Sequence, residues 1–225
     1  MMTQKIQAGG FTIIEIMVSL AMTSILLLGT ASLFSSSYRG GQVQSTVSGM
    51  SATGRFALDV LARDLRMAGY RDANWAMGAL GDPLVAIDGL AADGGDTLTV
   101  QYEAARDCNF LPTVAGVATN QFNVFNTVLQ CNGQPLVNGI EQMQVYFGED
   151  LNGDGSANRF MAPGTVGLVM NRVVAVRIHL LVRSNTVAIA TVPQPFYFDN
   201  QSRAAIDDGQ IRREYSVTVA VRNPI

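Results

Sequence analysis

Between Phe11 and Phe34 the chain carries a single charge, Glu15, in a run otherwise made of apolar, small and hydroxyl residues. As a helix this run is ~36 Å long, enough to cross a bilayer core of ~30 Å. A charge inside such a core costs roughly 2.5–3.5 kcal/mol on the insertion scale, so an acidic residue there needs a purpose. The run is too apolar and too long to serve as one face of a water-soluble domain. It constrains the chain to an amino-terminal membrane helix followed by a separate head.

An ordinary secretory signal is cut after its apolar segment, behind small residues. Here the small residues Ala8-Gly9-Gly10 precede the segment, so a cut at this point leaves the apolar helix in the mature protein. Gly10-Phe11-Thr12-Ile13-Ile14-Glu15, after a short leader whose one charge is Lys5, resembles the class III signal of type IV prepilins and type II secretion pseudopilins. The resemblance implies cleavage between Gly10 and Phe11 by a membrane prepilin peptidase and methylation of the new terminus at Phe11. It also implies a filament in which apolar helices bundle away from water. A carboxylate in that bundle needs a cation, and the free amine of Phe11 on a neighbouring subunit supplies one. Glu15 would then set the axial register between adjacent helices. The alternative is a plain membrane anchor with an accidental acid.

The net charge of −3 and a pI near 5.1 argue against a general nucleic-acid binder. Lys5 is the only lysine, and the other fourteen basic residues are arginines. The only cysteines are Cys108 and Cys131. In a domain exported to an oxidising compartment they are expected to form one disulfide, the alternatives being two free thiols or a metal pair. Two cysteines and one histidine cannot complete a four-ligand zinc site unaided.

The chain divides into a leader (1–10), a membrane or filament-core helix (11–34), an amphipathic continuation of that helix (35–70) and a β-rich head (71–225). In the continuation, Phe56, Val60, Arg63 and Met67 follow helical spacing, and Ala57, Leu61, Leu65 and Ala68 form a second stripe beside them. Asp59, Arg63, Asp64 and Arg66 supply its polar positions. Gly40-Gly41, Gly49 and Gly54 interrupt the pattern at roughly 1 kcal/mol each relative to Ala, and a kink or melted turn is expected near Gly40-Gly41. Beyond Arg71 the period changes to two. Leu98, Val100 and Tyr102 alternate with polar residues, as do Met143, Val145 and Phe147. Val174, Val176, Ile178, Leu180 and Val182 share one strand face, and Tyr215, Val217, Val219 and Val221 share another. The expected architecture is α+β, with a long helix laid across a mainly antiparallel sheet.

Further phrases resemble PilW-type minor pilins: Leu61 to Tyr70, Val137 to Gly148, Arg172 to Arg183 and Arg212 to Asn223. The family often has a cysteine after its Ala-Gly-Tyr phrase; this chain has Arg71-Asp72-Ala73-Asn74 there. The resemblance implies a type IV pilin-like fold and a non-catalytic subunit that primes or caps a type IV pilus. Its implied partners are other minor and major pilins, prepilin peptidase and the inner-membrane assembly platform. It implies a single pass through the inner membrane with the head in the periplasm before assembly, and a place in the pilus at the cell surface afterwards. The alternatives are a J-type pseudopilin of type II secretion and a calcium-dependent adhesive tip subunit.

The calcium alternative rests on Asp150-Leu151-Asn152-Gly153-Asp154-Gly155-Ser156, with oxygen donors at alternate positions and Gly sixth. Asp150, Asn152, Asp154 and the Ser156 carbonyl match the first half of a calcium loop, with Asn158 as a further donor. The twelfth position is Met161, so the usual Glu is missing, and Glu149 stands just outside as a substitute. A polar hairpin turn explains the same residues, and both readings stay open. No other cofactor is expected. His179, the only histidine, shares a strand face with Arg177, Leu181 and Arg183 and reads as a surface residue without a nucleophile to activate. Trp75, Met77 and Leu80 form a further apolar group, read as core or as a partner patch.

Overall fold

The computed structural model describes residues 10–71, 82–87, 95–185, 189–190 and 192–223. The leader up to Gly9 and the Trp75, Met77 and Leu80 group lie outside the described residues. The chain forms two compact units, Met1–Ser45 and Thr46–Ile225.

The first unit is helical from Ile13, within helix α1 (Ile13–Met67). Thr12 starts the helix: its Oγ1 accepts the Glu15 amide at 3.3 Å and its carbonyl accepts the Glu15 and Ile16 amides. This places Thr12 at the cap and Glu15 in the first turn, where the helix dipole favours an anion. The side chains from Phe11 to Phe34 are exposed. The best 18-residue window of the helix has a mean hydropathy of 2.0 and none of it is buried. The hydroxyls of Ser19, Thr23, Ser24 and Thr30 donate to carbonyls three or four residues back, so they present no unpaired donor to an apolar surrounding. Hydrogen-bonded helix continues through Gly40-Gly41, so no turn is melted there.

In the second unit the helix buries Met50, Gly54, Ala57, Leu58, Leu61, Ala62 and Leu65. Of the two stripes expected from sequence, the one containing Ala57, Leu61, Leu65 and Ala68 is core, whereas Phe56 is 58% exposed. Met67 ends the helix, three residues before the expected limit of 70. Gly69 follows at φ 73°, a left-handed conformation that suits glycine at a helix carboxyl end. The Gly69 amide passes to the Gln101 carbonyl, and Asn223 Nδ2 donates to the Ala68 carbonyl at 2.8 Å.

A five-stranded antiparallel meander runs in chain order: β1 (Leu84–Ile87), β2 (Thr97–Glu103), β3 (Val117–Phe125), β4 (Val128–Cys131) and β5 (Gln134–Asn138). A second antiparallel sheet has the order β11-β8-β6-β7, from β6 (Ile140–Glu149), β7 (Arg159–Met161), β8 (Val173–Arg183) and β11 (Arg212–Ala220). A short hairpin, β9 (Phe196–Phe198) and β10 (Gln201–Arg203), turns through Asp199 and Asn200 at φ 55° and 56°. The Val137–Gly148 phrase divides between β5 and β6 at Gly139, whose φ is 86°. The sheets meet where Gly95 bridges to Met143, with the Asp96 amide on the Met143 carbonyl and the Val145 amide on Asp96 Oδ2. A Cβ on Gly95 would lie 2.0 Å from that carbonyl oxygen, so the join requires glycine.

The alternating residues of β2 and β6 face one core with the helix stripe: Leu98, Val100, Met143, Val145 and Phe147 are buried. β8 departs from simple alternation. Ala175, His179 and Leu181 are buried along with Val176, Ile178, Leu180 and Val182, so both faces of this strand are largely covered.

Candidate assembly site

Glu15 lies on the exposed apolar helix, one turn from Phe11, with Ile16, Ser19, Leu20 and Thr23 lining a shallow depression beside them. Phe11 is 80% exposed. Among the described residues up to Phe34, Glu15 is the only charged side chain. An exposed surface this apolar calls for a non-aqueous covering, either lipid or other helices. Thr12 was missed from sequence as the cap of the helix turn that carries Glu15. The Thr-x-x-Glu spacing is the signal that reveals it.

The remaining helix is fastened to the sheets by polar contacts as well as by packing. Asp64 is buried on α1; it accepts Asn120 Nδ2 at 2.6 Å and the Tyr102 hydroxyl at 3.4 Å. Burial raises the Asp64 pKa, although the hydrogen bonds from Asn120 and Tyr102 oppose the shift. Burial and the nearby Asp64 charge push Tyr102 up to about 12. Sequence placed Asp64 among the polar positions of the helix, and the structure places it inside. Tyr215 on β11 meets the Ser51 hydroxyl at 2.9 Å and lies flat against Gly54. Gly54 therefore serves close helix–sheet packing and does not interrupt the helix.

Cys108 and Cys131 form a disulfide with Cα atoms 6.4 Å apart, as expected. It ties the loop after β2 to the end of β4.

The expected calcium donors lie together on an exposed turn between β6 and β7, where their oxygens accept hydrogen bonds from within the turn. Asp150 accepts the amides of Asn152 at 3.1 Å, Gly153 at 2.6 Å and Gly155 at 2.7 Å. Those amides, Gly155 foremost, hold its carboxyl below the usual range. Asp154 accepts Asn152 Nδ2 at 3.0 Å and the Ser156 amide at 2.8 Å. Asn158 Oδ1 takes the Leu151 amide. Met161 lies in β7. Glu149 has no exposed surface and accepts the Val169 amide at 2.7 Å and Arg159 Nε at 2.6 Å. The Val169 amide and then Arg159 depress its pKa. Among the described residues no three His, Cys, Asp or Glu side chains gather as a metal site. The donor set fits a self-satisfied turn.

His179 is not a surface residue: it is 6% exposed. Its Nδ1 pairs with Glu214 across β8 and β11, and its ring stands edge-on to Tyr146 at 5.7 Å. The Tyr146 hydroxyl donates to Asp199 at 2.6 Å, linking the β9-β10 hairpin to this sheet. These contacts are structural and include no nucleophile.

A long helix with a wholly exposed apolar first part, continuing into a helix packed on antiparallel sheets, is the α+β arrangement expected from the sequence. Residues 117–223, from β3 to beyond β11, match the family model of the type IV pilus-assembly protein W. Over that segment the chain is similar to the PilW family. The matched segment contains the Val137–Gly148, Arg172–Arg183 and Arg212–Asn223 phrases singled out from sequence. Among solved structures, a type IV-like pilin from Thermus thermophilus is similar at 17% identity and a TM-score of 0.47, covering 76% of this chain and 96% of that one. The GspK-GspI-GspJ complex of the enterotoxigenic Escherichia coli type 2 secretion system is similar at 13% identity and a TM-score of 0.38, covering 78% and 99%. At those scores neither likeness decides between a pilus and a secretion apparatus. No curated protein matches the sequence.

Proposed function

We propose that this chain is a minor pilin, a non-catalytic subunit that primes or caps a type IV pilus. The observation that carries the reading is the pairing of a PilW-matching head with an unburied apolar helix bearing one acid, Glu15. In this reading the peptidase cuts between Gly10 and Phe11 and the Phe11 amine is methylated. Before assembly the helix crosses the inner membrane with the head in the periplasm. During assembly the helix leaves lipid for a bundle of pilin helices, and Glu15 pairs with the Phe11 amine of the next subunit. The head contacts other minor and major pilins, and the filament carries it to the cell surface. The turn at Asp150 is read as structural.

Lysine content gives a direct test of processing. The full chain weighs 24.1 kDa for 225 residues, so the ten-residue leader accounts for about 1.1 kDa. Removing it also removes Lys5, leaving the amino terminus as the sole amine. Intact mass and amine labelling of the membrane-extracted protein should show that loss, one added methyl group and a single amine. A mature chain that keeps Lys5 or starts elsewhere would refute the processing step.

A further inference from the structure

The loop joining β2 to β3 reverses the usual polarity of a surface loop. Between Ala104 and Gly116 seven residues are exposed; six of them are apolar and the seventh is Arg106. Phe110 is 76% exposed, Leu111 58% and Val114 87%. The polar side chains Asp107, Asn109 and Thr113 are half-buried and bonded inward. Asp107 Oδ1 accepts the Asn109 and Leu111 amides at 2.9 Å, and its Oδ2 accepts Asn132 Nδ2 at 3.3 Å. Asn109 Nδ2 donates to the Cys131 carbonyl at 3.2 Å, and Thr113 Oγ1 donates to the Ala104 carbonyl at 2.6 Å. A loop that faces water does the opposite, as the turn at Asp150 does by exposing Asn152, Asp154 and Ser156.

The backbone of the tip is equally self-contained. Every amide from Asp107 to Thr113 has an acceptor within the head, Pro112 having none to place. The Leu111 carbonyl accepts the Asp107 amide, and the Phe110 carbonyl accepts Arg106 Nη1 at 2.5 Å. The disulfide ties the loop to the end of β4. Phe110 is held at φ 63°, a conformation unusual for a bulky residue, and the surrounding bonds keep its ring outside. A tip whose donors are already satisfied enters a medium of low dielectric without stranding a polar group. A protein partner would be recognised partly through hydrogen bonds that this tip no longer offers, whereas lipid asks for none. Arg106, the one polar side chain left outside, suits the phosphate level of a bilayer. In the reading above, α1 anchors the head to a bilayer, and tethering raises the effective concentration of that surface.

We propose that the β2–β3 loop docks into the interface of the bilayer that α1 spans, with Phe110, Leu111 and Val114 entering the acyl boundary and Arg106 pairing with an anionic lipid phosphate. The inference rests on the membrane-anchored reading and adds to it a second lipid contact, made by the head.

The test uses the full-length chain in vesicles of phosphatidylglycerol and phosphatidylcholine, with Phe110→Trp as the probe and the parental chain measured beside it to subtract Trp75. Replacing the phosphatidylcholine by its dibrominated form should quench about half or more of the added emission, because the ring lies at the acyl boundary. Leu111→Trp is a second probe and should respond alike. Val166→Trp, at a position 98% exposed on another loop, should keep its emission. Leu26→Trp, in the apolar helix, should be quenched throughout. Arg106→Glu should lower the ratio of docked to undocked loop by roughly fivefold or more. Unquenched Phe110→Trp and Leu111→Trp beside a quenched Leu26→Trp would overturn the docking and leave the anchored reading standing; an unquenched Leu26→Trp would overturn both. Equal quenching of Val166→Trp, indifference to Arg106→Glu, or quenching only by brominated vesicles added from outside would each overturn the docking as well.

Discussion

Glu15→Gln separates two things that Glu15 does. Its backbone amide bonds Thr12 Oγ1 at the start of the helix, and Glu15→Gln keeps that bond. The side chain adds an interaction with the helix dipole, worth about 0.3–1 kcal/mol. Membrane insertion should therefore be unharmed. Filament entry is different. Removing one member of a buried ion pair costs about 3–5 kcal/mol, because the Phe11 amine is left without its anion. At ~1.4 kcal/mol per decade this lowers incorporation roughly a hundredfold to several thousandfold. Thr12→Ala is the control. It removes the cap, costs about 1 kcal/mol of helix stability and leaves the charge, so incorporation should fall by only a few-fold. Immunoblots of membrane fractions and of sheared, pelleted filaments measure the two steps separately. Normal incorporation of Glu15→Gln would refute the charge-pair argument. A Thr12→Ala defect as deep as that of Glu15→Gln would mean that helix initiation, not pairing, is the function of this motif.

Gly54→Ala places a Cβ 2.6 Å from the Tyr215 ring and should destabilise the head by about 1–3 kcal/mol in urea unfolding. Gly49→Ala meets nothing within 4 Å and should stabilise the same helix by up to ~1 kcal/mol; equal effects would refute the packing role of Gly54. Millimolar calcium should leave the melting temperature unchanged, because a ligand that binds the native state must raise it; a saturable rise abolished by Asp150→Asn would restore the ion site. Cys108→Ser with Cys131→Ser should cost about 3 kcal/mol, given the separation of 23 residues. Asp64 has a folded pKa above its ordinary value of 3.8, so its contribution is greatest below that value and is lost as pH rises through the folded pKa. Asp64→Asn should flatten that part of the stability–pH curve in chemical denaturation, and an unchanged curve would sink the assignment.

What the sequence discloses depends on how far a residue lies from its partner. The strands of β2 and β6 and the Ala57-Leu61-Leu65 stripe are legible because burial repeats at a local period, and the membrane helix because its composition alone decides its solvent. Asp64, His179 and Gly54 were misplaced for one shared reason. A carboxylate, an imidazole and a glycine on an otherwise regular element look solvent-facing or disruptive until a distant residue accounts for them. Those residues are Asn120 at a separation of 56, Glu214 at 35, and Tyr215 across the core. No local window contains those pairs, and burying a polar group is affordable only when the pair forms. The Asp150 turn is ambiguous for the opposite reason. Its pattern is entirely local and fully legible, yet an ion loop and an Asx-bonded turn ask for the same residues at the same spacing. What favours the plain turn lies outside the motif, in Glu149 turned to Arg159 and Val169 and in Met161 drawn into β7. Glu15 combines both cases: its spacing from Thr12 and Phe11 is local, but in the proposed reading the cation that neutralises it belongs to another molecule, and an experiment on the assembled filament reaches that partner.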